Sequence, residues 1–369
     1  MTRARGREGS PASPRGVDVA RAAGVSQKTV SRVLNGERYV SVDVRRRVLE
    51  AADRLGYRLN NAARALASGR SRTIGVVALG TALYGPASLL LGVERAARNA
   101  GYALSVVNTL EGDQGGVAGA VQSLLERGVD GIVVSEPIDE DAGPLTSEVP
   151  VLVLGAPAGT RTGERTIAAG VDSEALARAA TDHLLDLGHP TVHHLAGPER
   201  WFAARDRLAG WRQALAARGR EQPSVTEGDW SAASGYAAGR RLAAGNDLTA
   251  VFAANDDMAV GLISALTEAG LRVPQDVSVV GFDDIPLAAY VRPPLTTVRQ
   301  PFDAVACEGL RLLVHAIENP EAELPTAQEQ PVELVVRSST APPPARADSG
   351  PLRHTVQPLT GEAHAPPAA

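Results

Sequence analysis

The sequence predicts an α/β protein with a small helical head followed by a body of two lobes, each built on a doubly wound parallel sheet. Apolar residues recur at helical spacing between residues 17 and 55. From residue 73 onward, continuous apolar strands alternate with helices, and the alternation restarts near Val171. A length of 369 residues favours two or three domains, and 44% hydrophobic residues are enough for a sizeable core.

The first two helices are short and are joined by a tight turn. Gly24 ends the first helix because glycine adopts the left-handed cap conformation at little cost, and Ser26 is a suitable N-cap for the second. The residues expected to face the core are Val17, Ala20, Ala22, Ala23, Val30, Val33 and Leu34. The residues left facing outward are Gln27, Lys28, Thr29, Ser31 and Arg32. Polar and basic residues that open such a second helix are typical of a helix-turn-helix that enters the DNA major groove.

A third helix is predicted over residues 42–55, capped by Ser41 and stopped by Gly56. Its expected inner side consists of Val44, Val48, Ala52 and Leu55. A generic three-helix cluster is the alternative, but it leaves the exposed basic residues of the second helix unexplained.

Charge is distributed unevenly along the chain. Residues 1–72 carry 16 Lys and Arg against 6 Asp and Glu, a net charge of +10, whereas the remainder carries 21 against 36, a net of −15. A basic head on an acidic body places any contact with a polyanion at the amino end.

The segments that flank the head and the body differ from them in composition. Residues 1–14 form a basic tail that is expected to be disordered, and residues 15–58 form the head. Residues 59–72 are helix-prone but too short to be stable alone, which predicts a hinge helix that forms in the DNA-bound state. The body spans residues 73–340, and residues 341–369 form a second disordered tail rich in proline and alanine. Because that tail lacks a leucine heptad, we expect a homodimer rather than a tetramer joined by a coiled coil.

The elements of the body follow from their apolar patterns. The predicted strands are residues 74–79, 103–107, 131–134, 151–154, 191–195, 250–253 and 277–280. The predicted helices include residues 88–100, 117–127 and 174–187. Ligands of such folds bind at the carboxyl ends of the strands, in the crevice between the lobes.

Polar side chains follow several of these strands. Residues 254–257 (ANDD), residues 281–284 (GFDD) and the pair Arg205 and Arg207 are placed to face the crevice. An arginine, an asparagine and an aspartate suit a polyhydroxylated ligand, because charged groups form strong hydrogen bonds with hydroxyls. Trp230 and Phe302 could supply apolar faces for a sugar ring. Helix capping by Asp256 and Asp257 is the alternative interpretation.

Other function classes find little support. The single cysteine, Cys307, cannot form an intrachain disulfide and is expected to be a small core residue. His189, His193 and His194 lack metal-ligand spacing, no apolar run is long enough to cross a bilayer, and the amino end lacks a secretion signal. An enzyme is disfavoured because a phosphate-binding loop and a nucleophile elbow are missing, and because the adjacent carboxylates of Asp283 and Asp284 would point apart.

The chain resembles the lactose-repressor (LacI/GalR) family of bacterial transcription regulators from about residue 16 to residue 340. The head segments that carry the resemblance are residues 18–20 (DVA), 24–26 (GVS) and 29–33 (TVSRV). The body segments are residues 196–198 (AGP), 207–211 (RLAGW), 227–232 (EGDWSA), 254–256 (AND), 278–284 (SVVGFDD) and 293–298 (PPLTTV). The resemblance implies a periplasmic-binding-protein-like body behind the helix-turn-helix head.

The resemblance also implies functional residues. The implied DNA-contacting residues are Ser26, Gln27, Lys28, Thr29, Ser31, Arg32, Asn35, Tyr39, Asn60, Ala63 and Leu66. Among them, Leu66 matches a hinge leucine that wedges into the minor groove and kinks the site. The implied ligand-binding residues are Leu83, Pro86, Arg207, Trp230, Asn255, Asp283, Gln300 and Phe302. Gly155 and Ser135 depart from the pattern, because they stand where the lactose repressor has a pocket aspartate and an asparagine.

Together these features predict a cytoplasmic homodimer that represses transcription from operator DNA and is released by a small sugar, with a galactoside favoured. No cofactor or metal is expected beyond that effector, and no membrane contact. The dimer contact is expected on residues 89–91 (LLL). The alternatives are a regulator of another sugar, a regulator with a purine-like corepressor, and a sugar-binding protein without a regulatory role.

Overall fold

The computed structural model describes residues 14–34, 39–57, 69–109, 115–135, 147–156, 165–245, 247–324, 326–328 and 330–344. The expectations for the two terminal tails therefore lie largely outside the described residues, as do those for most of the hinge segment. The predicted fold class is confirmed: a three-helix head precedes a body of two mainly parallel sheets.

The head consists of α1 (Gly16–Ala23), α2 (Gln27–Leu34) and α3 (Val42–Arg54). The expected caps are confirmed: Gly24 has a φ of 65°, and the Ser26 hydroxyl accepts a hydrogen bond of 3.1 Å from the Thr29 amide. Ser41 accepts one of 3.4 Å from the Val44 amide. These caps begin or end the helices at the predicted residues.

One part of the predicted head core is wrong. Val17 and Ala22 are exposed, and Val19 is buried with Ala20 and Ala23. The reason is the helical period of 3.6 residues, which puts positions 19, 20 and 23 on one face and positions 17 and 22 on its two flanks.

The amino-terminal lobe (N-lobe) contains β1 (Thr73–Leu79), β2 (Ala103–Thr109), β3 (Gly131–Ser135), β4 (Val151–Leu154) and β5 (Thr166–Ala169). These strands form a parallel sheet with the order β2-β1-β3-β4-β5. The helices α4 (Tyr84–Asn99) and α5 (Gly116–Glu126) belong to the same lobe. The short strand β5 was not predicted, because its residues, Thr-Ile-Ala-Ala, include only one large apolar side chain.

The carboxyl-terminal lobe (C-lobe) contains β6 (His193–Ala196), β7 (Thr226–Glu227), β8 (Ala250–Ala253), β9 (Ser278–Asp283), β10 (Thr296–Arg299) and β11 (Glu333–Val335). The sheet order is β11-β10-β9-β8-β6-β7, and β11 pairs antiparallel at one edge. Its helices are α6 (Ser173–Asp186), α7 (Phe202–Ala217), α8 (Ala232–Leu242) and α9 (Asp256–Glu268), with a short 3₁₀ turn at Pro286–Ala289.

The last long helix, α10 (Phe302–Glu318), follows the C-lobe strands in sequence but packs in the N-lobe against α4, β4 and β5. The described chain therefore passes between the lobes near residues 170–172, at residues 300–301 and again before β11. The restart expected near Val171 coincides with the first of these passages. The second passage places Gln300 and Phe302 beside the cleft.

Two further placements differ from expectation. Cys307 is exposed on the outer side of α10 and is not a core residue, because the face of the helix that carries Ala306 and Leu310 is the buried one. In the predicted dimer segment, Leu89 is buried in the N-lobe core at 2% exposure, and only Leu91, at 63%, is well exposed. In the part of the chain that the structure describes, we find no helix with the length and apolar character of a membrane span.

Candidate functional site

The cleft between the lobes lies at the carboxyl ends of β1, β6, β8 and β9. It contains an open cavity of about 370 Å³ lined by Leu83, Tyr84, Gly85, Pro86, Trp201, Ala203, Arg207, Trp230, Asn255, Asp283 and Gln300. Seven of the eight predicted ligand-binding residues thus meet in one cavity. The eighth, Phe302, lines an adjoining cavity of about 330 Å³. Its ring meets the Tyr84 ring edge-on, with the ring centroids 5.8 Å apart. Their roles toward a ligand stay predictions.

Arg207 is the buried cation of the cleft. The Nη1 group donates a hydrogen bond of 2.5 Å to the Ala254 carbonyl, and the guanidinium lies 4.0 Å from the centre of the Phe282 ring. The Nη2 atom is 3.7 Å from Asp283 Oδ1, an ion pair without close hydrogen-bond contact. Among the described residues, nothing accepts a hydrogen bond from the buried Nε–H. Arg207 can therefore still donate to a ligand that enters the cavity.

Asp283 ends β9 and supplies the carboxylate. Its φ of 116° is a strained backbone conformation for a residue with a side chain, and such strain is concentrated at functional sites. The carboxyl group accepts a hydrogen bond of 2.6 Å from Gln300 Nε2. Burial raises the pKa of Asp283 from 3.8 to about 6, against the smaller lowering effects of Arg207 and Gln300.

Asn255 lines the cavity and also caps a helix. Its Oδ1 atom accepts a hydrogen bond of 3.0 Å from the Met258 amide and so caps α9, while Nδ2 donates to the Trp230 carbonyl at 2.9 Å. The cap of this helix is thus Asn255 rather than Asp256 or Asp257. Asp256 is instead fully buried and accepts hydrogen bonds from the Thr297 hydroxyl and the Ile285 amide.

Two tryptophans form the apolar wall. The rings of Trp201 and Trp230 meet edge-on with centroids 5.8 Å apart. Trp230 has a φ of 73°, and its buried indole N–H has no acceptor among the described residues. Sequence reasoning missed Trp201. Its position shortly after β6, in a chain with three tryptophans, was the available signal.

Trp201 also connects the lobes. A Cβ atom on Gly80, at the end of β1, would lie 2.8 Å from the Trp201 ring. Gly80 has a φ of 58°, so glycine is favoured there by both space and backbone conformation. The ring therefore lies across the cleft, from the N-cap position of α7 to the N-lobe.

Other polar groups point away from the cavity. Arg205 is exposed and its Nε atom donates to the Glu199 carbonyl at 2.7 Å. Asp284 pairs with Arg299 at 2.7 Å and with Arg337 at 2.6 Å, so its carboxylate diverges from that of Asp283. The geometry of an acid/base pair is therefore absent at these two residues.

His194 belongs to the core of the C-lobe. His194 stacks between Trp211 and Phe252 at centroid distances of 5.4 and 4.9 Å. Burial lowers the pKa of His194 from 6.5 to about 4. Within the described ranges, no three potential ligands cluster as a metal site would require.

The predicted DNA-contacting face of the head is open to solvent. Ser26, Gln27, Lys28, Ser31, Arg32 and Tyr39 are exposed, and Thr29 is half-buried. The Ser26 and Thr29 hydroxyls lie 2.9 Å apart, so both contribute to the start of α2. Asn35, Asn60, Ala63 and Leu66 lie outside the described residues.

Some basic residues of the head have an internal role. Arg45 donates to the Val33 carbonyl at 3.4 Å, and Arg47 donates to the Ala23 carbonyl at 3.3 Å. These cations sit at the carboxyl ends of α2 and α1, where the helix dipole favours positive charge. The basic residues presented on the outer face of α2 are Lys28 and Arg32.

Comparison with known proteins gives one consistent result. Residues 17–60 match the bacterial regulatory proteins of the lacI family, and residues 181–340 match a periplasmic binding protein-like domain. The transcriptional repressor PurR of Photobacterium profundum is 35% identical over 330 residues, which cover 87% of this chain and 97% of that protein. The lactose operon repressor of Escherichia coli is 35% identical over 332 residues, which cover 88% of this chain and 90% of that protein.

A solved structure agrees along most of the chain. The Lac repressor dimer bound to operator and the anti-inducer ONPF superposes with a TM-score of 0.76 at 33% identity. The alignment covers 88% of this chain and 98% of that one.

Proposed function

The chain belongs to the lacI family of bacterial regulatory proteins, and we propose that its operator binding is released by a small sugar, first of all a galactoside, held between the two lobes. Members of this family are DNA-binding transcriptional repressors and not enzymes. This chain is likewise a DNA-binding transcriptional repressor and not an enzyme. What we propose is the identity of the ligand and its effect on operator binding.

The observation that carries the proposal is the division of the cleft into a polar side and apolar walls. Arg207, Asn255 and Asp283 come from the C-lobe, and the passage between the lobes adds Gln300. Hydrogen-bond donors and acceptors that lie this close together are suited to the neighbouring hydroxyls of a sugar. Charged partners strengthen such hydrogen bonds. Trp201 and Trp230 offer flat apolar surfaces to the ring.

The N-lobe side of the cavity is formed by Leu83, Tyr84, Gly85 and Pro86, which are largely apolar. A ligand that binds the polar C-lobe side and contacts this wall interacts with both lobes at once. Its affinity then depends on how the lobes are arranged. Such a ligand shifts the balance between arrangements by its difference in affinity for them, and operator affinity changes by the same factor.

We further propose that the repressor acts as a homodimer in the cytoplasm, with one head on each half of a near-palindromic operator, about one helical turn apart. Exposed apolar residues in both lobes support a dimer face: Leu91 and Val106 in the N-lobe, and Leu287 and Tyr290 in the C-lobe. The similar solved repressor is described as a dimer on its operator.

The test starts with a duplex that the purified protein selects from a random DNA pool. Fluorescence anisotropy then measures its affinity for that duplex while methyl β-galactoside, lactose, glucose, ribose or a purine base is titrated. We expect a galactoside to weaken binding. Weakening by another sugar alone, or tightening by a purine base, would replace the galactoside with the corresponding alternative effector.

A matched pair of variants connects the response to the cleft. Arg207→Lys removes the planar donor at the Asp283 side, whereas Arg205→Lys changes an exposed arginine two residues away on the same helix. We expect the first variant alone to lose the sugar response. Sugar binding in a thermal-shift assay with no effect on DNA affinity would favour a sugar-binding protein without a regulatory role.

A further inference from the structure

The chain enters the N-lobe through a cluster of polar groups just before β1. Asp130, in the turn between α5 and β3, accepts hydrogen bonds from the Ser71 amide at 2.9 Å, the Ser71 hydroxyl at 3.1 Å and the Arg72 amide at 2.8 Å. One carboxylate thus binds the last two residues before the strand. Charge-assisted hydrogen bonds to backbone amides are among the strong ones, so they fix this backbone firmly.

The backbone held in this way is strained. Arg72 has a φ of 53°, a left-handed conformation that is strained for a residue with a side chain. The Arg72 guanidinium lies 5.3 Å from the centre of the Tyr102 ring, and the Thr73 amide donates to the Ser71 hydroxyl at 3.2 Å. These contacts hold the strained conformation in place and so set the direction in which the chain turns.

A second contact lies beside the first. Arg70 Nη2 is 3.5 Å from the carbonyl oxygen of Glu318, the last residue of α10. A cation at the carboxyl end of a helix is favoured by the helix dipole. Burial raises the pKa of the Tyr102 phenol beside these contacts; the charge of Arg72 opposes this effect, and the charges of Glu318 and Asp130 add to it. We call this cluster the linker joint: Arg70, Ser71, Arg72, Tyr102, Asp130 and Glu318.

The helix that ends at the linker joint begins at the cleft. Phe302 is the first residue of α10 and Gln300 lies just before it, whereas Glu318 is its last residue. At 1.5 Å per residue, the 17 residues of α10 span about 25 Å. One helix therefore connects the ligand cavity with the point where the chain enters the N-lobe.

We propose that Asp130 is a positioning residue for operator binding: together with the Glu318 carbonyl, it fixes the direction in which the chain leaves the N-lobe toward the head. The segment between the head and Gly69 starts from this joint in each protomer. Because the joint already fixes the first residues of this segment, less conformational entropy is lost when both heads bind one operator. The proposal rests on the DNA-binding function and does not depend on which effector fills the cleft.

The test compares Asp130→Asn with Asp276→Asn in the full-length protein. Asp276 is a matched control because it also accepts three hydrogen bonds, from the Arg272 amide, Nε and Nη2, each at 2.8 Å, in a turn of the other lobe. Affinity is measured without effector, for the duplex selected by the wild type and for a random-sequence duplex. The exchange rates of the Ser71 and Arg72 amides are measured in parallel.

Asp130→Asn should lose at least about tenfold in affinity for the selected duplex, because backbone that the joint had fixed must then be ordered on binding. Its affinity for the random duplex should be unchanged, because the charges of the head are intact. The two amides should exchange faster. Asp276→Asn should match the wild type in every measurement.

Wild-type affinity for the selected duplex, or an equal loss for both duplexes, would overturn the proposal. If Asp130→Asn fails to fold, Arg70→Ala decides the question, because it removes the second contact from an accessible side chain and is expected to show the same selective loss. Absence of any sugar response in the wild type would overturn the effector proposal alone, since these comparisons contain no sugar.

Discussion

Asp283 allows the electrostatics of the cleft to be tested through protein stability. Burial raises the pKa of its carboxyl group from 3.8 to about 6. Between these two pH values the folded protein binds a proton that the unfolded chain releases, so the free energy of unfolding falls as the pH rises. At about 1.36 kcal/mol per pKa unit, the whole effect amounts to about 3 kcal/mol.

Asp283→Asn removes this titration and keeps the size of the side chain. It also leaves Arg207 without its carboxylate, which lowers stability. At this site the stability of the variant does not change between about pH 5 and about pH 7.5, because neither an asparagine nor Arg207 titrates in that range. Between these conditions the wild type should gain about 1.4 kcal/mol relative to the variant on acidification, the part of the effect that lies above pH 5.

Urea unfolding followed by tryptophan fluorescence measures the difference, since Trp201, Trp211 and Trp230 are all buried in the C-lobe. Asp276→Asn is the control. The pKa of Asp276 is lowered to about 2 by its hydrogen bonds with Arg272, so the wild type should gain nothing relative to this variant at low pH. A gap between wild type and Asp283→Asn that is equal at both pH values would refute the reasoning, since Asp283 would then titrate normally.

Four further outcomes are expected. Asp283→Ala should retain operator binding and lose the sugar response in the anisotropy titration, and loss of both would indicate a folding role. Lys28→Ala should weaken binding to all duplexes and reduce the slope of log affinity against log salt by about one, as measured by a salt titration; an effect on the selected duplex alone would instead assign Lys28 to base recognition. Ser26→Ala should destabilise the head by about 1 kcal/mol through loss of the α2 cap, seen as a lower thermal midpoint of the head, and an unchanged midpoint would show that the 3.1 Å bond contributes nothing. Because burial lowers the pKa of His194 from 6.5 to about 4, its contribution to stability is complete above pH 6.5 and is lost as the pH falls, by about 3 kcal/mol; His194→Phe should lack this loss in urea unfolding, and an identical pH profile would contradict the burial argument.

Local signals were sufficient for much of the fold. The head helices begin and end at the residues predicted from Gly24, Ser26 and Ser41, since a cap depends on neighbours within four positions. The seven predicted strands of the body lie within a few residues of the observed ones, whereas β5, β7, β10 and β11 were not predicted. Arg207, Asn255 and Asp283 were predicted to face the cleft, because polar residues at the carboxyl ends of parallel strands meet at one edge of a sheet. The same argument also selected Arg205 and Asp284, whose side chains point away.

Contacts distant in sequence were not predictable in this way. Trp201 joins the cleft because α7 brings it against Gly80, which lies 121 positions earlier in the sequence. Asn255 serves both as a helix cap and as a donor to the Trp230 carbonyl, a combination that its local sequence leaves open. Cys307 is exposed because α10 returns to the N-lobe and buries a different face from the one expected.

The sequence by itself determined the basic head, the order of helices and strands and the class of function, because these depend on residue type, spacing and charge along the chain. Only the tertiary structure decided which groups share the cleft and which contacts hold the chain where it enters the N-lobe. The ion pair of Arg207 with Asp283 and the contact of Arg70 with Glu318 join residues 76 and 248 positions apart. Each pair forms only after its own lobe has folded, because packing brings distant segments together, and burial then raises the pKa of Asp283.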